Sequence, residues 1–105
     1  MKLRVRGQSL RLRLTHEEVQ ALAATGHVEE RLWLAADRAL AYRVSIAPAA
    51  HDIGVRYQGE VIEVELPAAA AHEWCAGEAV TLAGSQPVGS RILRITVEKD
   101  FDSSD

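Results

Sequence analysis

The sequence predicts an α+β fold made by duplication. Two copies of a β-β-α-β-β unit, related by a pseudo-two-fold axis, are expected to form a mostly antiparallel, curved or barrel-like sheet with two short helices. Three observations carry this expectation. Apolar and polar residues alternate with period two in most of the chain, the signature of half-buried strands. Two short segments break that alternation, and each is followed by a glycine, Gly26 or Gly77. The order of elements in the first half then recurs in the second, as an internal repeat requires.

The first half supplies a hairpin, a helix and two more strands. Leu3 and Val5 alternate with Lys2, Arg4 and Arg6, Gly7-Gln8-Ser9 is turn chemistry, and Leu10, Leu12 and Leu14 alternate with Arg11 and Arg13. Thr15-His16-Glu17-Glu18 spells a capping box, with Glu17 and Glu18 at the positive end of the helix dipole. Val19, Leu22 and Ala23 form the stripe expected to be buried, and Gly26 is placed to end the helix as a left-handed cap. Strands follow at about 28–34 and 39–46, with the turn at Ala36-Asp37-Arg38. Residues 48–52 form a connector between the halves.

The second half reads in the same order. Strands are expected at about 53–57 and 61–66, and Pro67 opens a helix over 68–76, where its missing N–H would be unpaired anyway. The closing strands are placed at about 80–82 and 92–99, with Gly84-Ser85-Gln86-Pro87 as the turn region between them. Val5-Arg6-Gly7-Gln8 matches Val55-Arg56-Tyr57-Gln58, and Leu10, Leu12 and Leu14 match Ile62, Val64 and Leu66. Phe101 is in phase with Leu93, Ile95 and Val97 and is expected to tuck beneath them. The organisation is therefore one domain over residues 1–105, with repeats at about 1–47 and 53–101 and a frayed tail at 102–105.

Composition narrows the function classes. The chain has 105 residues, 48% hydrophobic and 26% charged, an ordinary globular balance. A net charge of −3 argues against a general nucleic-acid binder, which carries a large positive excess. The lone Cys75 excludes an internal disulfide framework. The N-terminus has no continuous apolar stretch of the signal-peptide kind, and no apolar run is long enough to span a bilayer. The compartment these features predict is the cytoplasm.

The charges are unevenly placed. Lys2, Arg4, Arg6, Arg11 and Arg13 precede every acidic residue, and Asp100, Asp102 and Asp105 gather at the other end. The repeat sets Arg11 opposite Glu63 and Arg13 opposite Glu65, so cross-strand ion pairs at the pseudo-two-fold are the structural expectation. The functional expectation is that Arg4, Arg6, Arg11 and Arg13 form an exposed anion-binding face, because arginine forks suit carboxylate and phosphate groups.

Other candidates are weaker. His72 and Cys75 stand three apart on one helix face, half of a zinc site, but His16, His27 and His51 supply no recognised spacing for the missing ligands. As a nucleophile, Cys75 lacks an orienting third group and sits at the negative end of its helix. His51-Asp52 lies in the connector and reads as polar linker. The glycines of residues 84–90 lack the Gly-Lys-Ser/Thr ending of a phosphate loop and read as a hairpin turn. Trp33 and Trp74 are expected to fill core or the seam between repeats. No cofactor fingerprint and no catalytic constellation is present.

The two ends carry a resemblance. Lys2-Leu3-Arg4-Val5-Arg6-Gly7 followed by Ser9-Leu10-Arg11-Leu12-Arg13-Leu14-Thr15 resembles the start of a family of small uncharacterised bacterial proteins, a domain of unknown function. Val97-Glu98-Lys99-Asp100-Phe101 resembles the end of that family, and Glu29-Glu30 fits it too. The resemblance implies a bacterial, stand-alone domain and carries no catalytic residue onto this chain. Similar proteins often have a cysteine soon after the Lys-Asp-Phe, where this sequence has Asp102 and Ser103, which argues against a thiol or metal role for the tail.

The functional expectation is a non-enzymatic binding module with a protein partner or a second copy of itself, with no membrane, and with nucleic acid disfavoured. Two alternatives stand beside it. One is a small anionic-ligand binder or enzyme using the cleft between repeats, and the other is weak nucleic-acid binding by the arginine hairpin.

Overall fold

In the computed structural model, residues 1–100 are described. They form, in order, β1 (Lys2–Arg6), β2 (Ser9–Leu14), α1 (His16–Thr25), β3 (His27–Ala35), β4 (Arg38–Ala47), β5 (Gly54–Gln58), β6 (Val61–Pro67), α2 (Ala68–Ala76), β7 (Thr81–Val88) and β8 (Arg91–Lys99). The strands make two four-stranded sheets, not a closed barrel. The first has the order β1-β2-β8-β7 and the second β3-β4-β6-β5. In each, a central parallel pair, β2 with β8 or β4 with β6, is flanked by antiparallel partners. Exchanging the two halves of the chain turns one strand order into the other, so the α+β duplication is written into the topology. Each half gives its first hairpin to one sheet and its second to the other, and its helix makes the crossing.

Local sequence sets the crossings. Thr15 Oγ1 accepts from the Glu18 amide at 3.2 Å, and Glu18 Oε1 accepts from the Thr15 amide at 2.9 Å, completing the capping box of α1. Gly26 ends α1 at φ 89°, a left-handed value that costs any residue with a Cβ, and donates its N–H to Leu22 O. In the second half Pro67 is the last residue of β6 and stands at the N-cap of α2, which covers the expected 68–76.

One continuous core lies between the inner sheet faces and the helices. Leu12, Leu14, Leu22, Val44, Val64, Leu66, Trp74, Ile95 and Val97 are fully buried in it. Each such side chain contributes about 1.5–3 kcal/mol by leaving water. Val19 and Leu22 of α1 stand where Ala71 and Trp74 stand in α2, so a medium pair is replaced by a small and a large one. The Trp74 indole N–H donates to Val80 O at 3.0 Å, which satisfies its one polar atom.

Four expectations need correction. Gly84-Ser85-Gln86-Pro87 is not a turn: β7 runs through it, and the chain reverses at Gly89-Ser90, with Gly89 at φ 61°. That composition usually punctuates a chain, but β7 is an edge strand, where the N–H that Pro87 lacks would have faced away from the ladder. Gly7 and Gly59 occupy equivalent hairpin turns, so β1 matches β5 with Leu3 at Val55 and Val5 at Tyr57, two residues from the tetrapeptide match. Trp33 is not core: it is 60% exposed, beside a β-bulge at Leu34. Ala23 is exposed, leaving Val19 and Leu22 as the buried stripe of α1. Phe101 and the tail 102–105 lie outside the described residues.

Candidate functional site

Strand alternation turns Lys2, Arg4 and Arg6 of β1 to the outside of the first sheet, with Arg11 and Arg13 of β2 and Arg94, Thr96 and Glu98 of β8. The register stacks them in rows: Lys2 beside Arg13 beside Glu98, Arg4 beside Arg11 beside Thr96, and Arg6 beside Ser9 beside Arg94. Arg13 Nε lies 2.8 Å from Glu98 Oε1 and Arg11 Nη1 3.8 Å from the same oxygen. Lys2 Nζ lies 3.3 Å from Asp100. Arg4, Arg6 and Arg94 make no ion pair with any described residue. Arg4 therefore faces Arg11 directly across the hairpin with one carboxylate, Glu98, serving two arginines. Like charges set opposite each other on a sheet are destabilising.

The second sheet is the internal comparison. Its equivalent outer row reads Glu29, Arg43, Glu63, Arg56 across four strands, each charge flanked by its opposite. Glu29 lies 3.7 Å from Arg43, Arg43 lies 3.4 Å from Glu63, and Arg56 lies 3.8 Å from Glu65. Ser45 also donates to Glu63 at 2.7 Å. The second sheet has thus paired the charges of this row, and the first has left Arg4 facing Arg11.

The ion pairs expected between Arg11 and Glu63 and between Arg13 and Glu65 do not form. Those residues sit on different sheets, because β2 pairs β8 and β6 pairs β4. Equivalent positions in a duplicated fold need not meet. Sequence reasoning found Arg4, Arg6, Arg11 and Arg13 but missed Arg94 and the anchoring Glu98. The alternation of β8 puts Arg94, Thr96 and Glu98 on one face, yet its parallel pairing with β2, far away in sequence, has no local signature.

His72 and Cys75 are elsewhere. They line a groove of about 790 Å³ between α1 and α2, with His16, Val19, Gln20 and Lys99. Among the described residues no three His, Cys, Asp or Glu side chains gather into a metal-binding group. His16 Nε2 is engaged with Gln20 Nε2 at 3.1 Å. Burial pushes the Cys75 thiol above its ordinary pKa, against the opposing pull of the Lys99 charge. Lys99 itself donates to Gly77 O at 2.8 Å and lies 5.3 Å from the Trp74 ring centre. Arg4, Arg6, Arg11 and Arg13 are not among the residues lining this groove.

Fold and face together define an α+β protein of two mixed four-stranded sheets, one carrying a basic outer surface on which Arg4, Arg6 and Arg94 make no ion pair with a described residue. No helix among the described residues is long and apolar enough to cross a membrane. The chain belongs to DUF7009, a family of unknown function whose model matches residues 1–105. No curated protein sequence and no solved structure matches it at a significant level.

Proposed function

We propose that this protein is a non-enzymatic, cytoplasmic binding module that docks an acidic protein partner on the outer face of its first sheet. The observation that carries this reading is Arg4 opposite Arg11, with Arg6 and Arg94 in the neighbouring row and Glu98 shared between Arg11 and Arg13. A partner that brings carboxylates to this face would relieve the repulsion and form bidentate arginine contacts. Nucleic acid is the poorer fit. The net charge is −3, and the exposed aromatics Trp33 and Tyr57 lie on the second sheet, away from the arginines.

The test is fluorescence anisotropy at low salt, where electrostatic binding is strongest, with a labelled poly-glutamate peptide and a labelled single-stranded oligonucleotide as probes. Binding of poly-glutamate that Arg11→Glu abolishes supports the reading. Binding of the oligonucleotide alone, or of neither probe, sinks it.

A further inference from the structure

The two seams between sheet edges are treated differently. At one, β5 and β7 are tied together. The Gln86 side-chain amide donates to Val55 O at 2.9 Å and accepts from Val55 N at 2.7 Å. Those are the two bonds a neighbouring strand would make, so one side chain occupies the edge of β5 as a strand would. At the other seam, the position of Gln86 is held in β3 by Leu32, which has no polar atom to offer. The position of Val55 is held in β1 by Leu3.

The open edge can be derived from the turn. The two-residue loop Gly7-Gln8 makes Arg6 and Ser9 the closing hydrogen-bonded pair. By alternation, Leu3 and Val5 then turn their N–H and C=O groups away from β2. Neither makes a backbone hydrogen bond on that side to another described residue. The edge is held at its beginning, where the Met1 ammonium is paired with Glu18 and Glu30, and along Leu3–Val5 its outward backbone groups have no backbone partner among the described residues. Its side chains point two ways. Arg4 and Arg6 lie on the basic outer face, and Val5, on the other face, is 64% exposed. Across the seam β3 presents Leu32 and Leu34, also exposed.

We infer that β1 is a strand-addition site, and that the acidic partner docks as an extended segment alternating carboxylate and apolar residues along the edge of Leu3–Val5. Main-chain bonds to Leu3 and Val5 would give the register. Alternate side chains would then fall to opposite faces, carboxylates onto Arg4 and Arg6 and apolar groups beside Val5. This rests on the docking reading above and adds to it the partner's conformation and sequence pattern. An unpaired edge is otherwise a liability that proteins block, as Gln86 and Pro87 block the edges of β5 and β7.

The experiment uses the whole protein and three labelled probes: a short peptide alternating glutamate and valine, its twin N-methylated at every second residue on the edge-facing side, and poly-glutamate. The twin keeps the charge and loses the backbone donors. The alternating peptide is expected to bind about tenfold or more tighter than its twin, a difference of about 1.4 kcal/mol. Val5→Pro, which removes an outward N–H of the edge strand together with the exposed valine side chain, is expected to weaken binding of the alternating peptide, and Val5→Ala, which keeps the N–H, is expected to weaken it less. A circular dichroism spectrum matching that of the unaltered protein is the check that the fold persists. Equal binding of the twins overturns strand addition while leaving the basic face as the dock. Binding of poly-glutamate without the alternating peptide does the same. Failure of all three overturns both.

Discussion

Ile53 presses into the space over Gly84. A Cβ built on Gly84 would lie 1.8 Å from Ile53 Cγ2, closer than real atoms approach. Ile53 enters β5 and Gly84 lies midway along β7, so this contact draws together edges of the two different sheets. Gly84→Ala forces the isoleucine or the strand to move and lowers stability by about 1–3 kcal/mol, the usual cost of overpacking. Urea denaturation reads it as a drop in midpoint. Ile53→Ala combined with Gly84→Ala should recover part of the loss, and an unchanged midpoint in Gly84→Ala would mean the notch is slack.

Two residues further along β7, Gln86 supplies the polar half of the same tie. Gln86→Leu, which copies Leu32 at the equivalent place, removes both bonds to Val55. Each net hydrogen bond of this kind is worth about 0.5–1.5 kcal/mol. Amide hydrogen exchange gives the direct readout: the Val55 N–H should lose protection while Val64, its partner within the sheet, keeps it. Equal protection of Val55 in both proteins would show that the amide bridge is not formed in solution.

What the sequence made legible, and what it did not, divides along the range of the interactions. The hairpin of Leu3 to Leu14, the Thr15 cap and the Gly26 stop are local, and each was readable from neighbouring residues. The strand β7 was hidden because its residues were chosen for distant contacts: Gly84 for Ile53, and Gln86 for the main chain of Val55. A segment shaped by partners about thirty residues away reads as a turn when it is judged by local propensity. The same holds for the basic face. Its arginines were plain, but the pairing of β2 with β8 decided that Glu98, and not Glu63 or Glu65, would meet them. Trp33 and Trp74 look alike in sequence, and only the sheet position of one and the inter-element position of the other separate surface from core.

The crowded arginines predict a trade between stability and binding. Arg4→Glu places a carboxylate opposite Arg11 on the hairpin. The fold should gain about 0.2–1 kcal/mol, the usual worth of a favourable cross-strand charge pair. The same protein should lose affinity for an acidic peptide. A shift of urea midpoint upward with binding downward shows that the face is retained for a partner at a cost to the fold. If stability falls instead, Arg4 has a structural contact that outweighs the repulsion.

Cys75 should be a slow thiol. Burial raises its pKa above the ordinary 9.0, with the Lys99 charge pulling the other way, and alkylation requires the thiolate. Iodoacetamide labelling followed by intact mass should run slower than for a free thiol at neutral pH and accelerate as pH rises. Lys99→Met removes the lowering charge, along with a packing contact on Trp74, and should slow labelling further at a fixed pH. Faster labelling than a free thiol would place the thiolate in a stabilising site that the groove does not display.

The Met1 ammonium predicts the shape of stability against pH. Burial opposes its charge, but hydrogen bonds to Glu18 and Glu30 and their negative charges prevail, and its pKa is raised from 8.0. A raised value means its contribution is full below pH 8.0 and is lost as pH climbs through the folded value. Glu18 runs the other way. Burial disfavours its charge, but the Met1 ammonium and the Thr15 amide outweigh that and lower it from 4.5. Its contribution is present above pH 4.5 and is lost as pH falls through the folded value. Tyr42 adds a second alkaline step. Burial first, then the Glu30 charge and the hydrogen bond the hydroxyl donates to it at 3.2 Å, raise its pKa from 10.0. Urea midpoints measured across pH should therefore show a plateau that falls on the acid side below pH 4.5 and on the alkaline side beginning above pH 8.0. Glu30→Gln removes a partner of both Met1 and Tyr42, and should shorten the alkaline shoulder while the capping box of Thr15 and Glu18 keeps much of the acid limb. Tyr42→Phe should remove the upper alkaline step and leave the lower. An alkaline limb that neither substitution moves would place the titrating group outside the Met1 cluster.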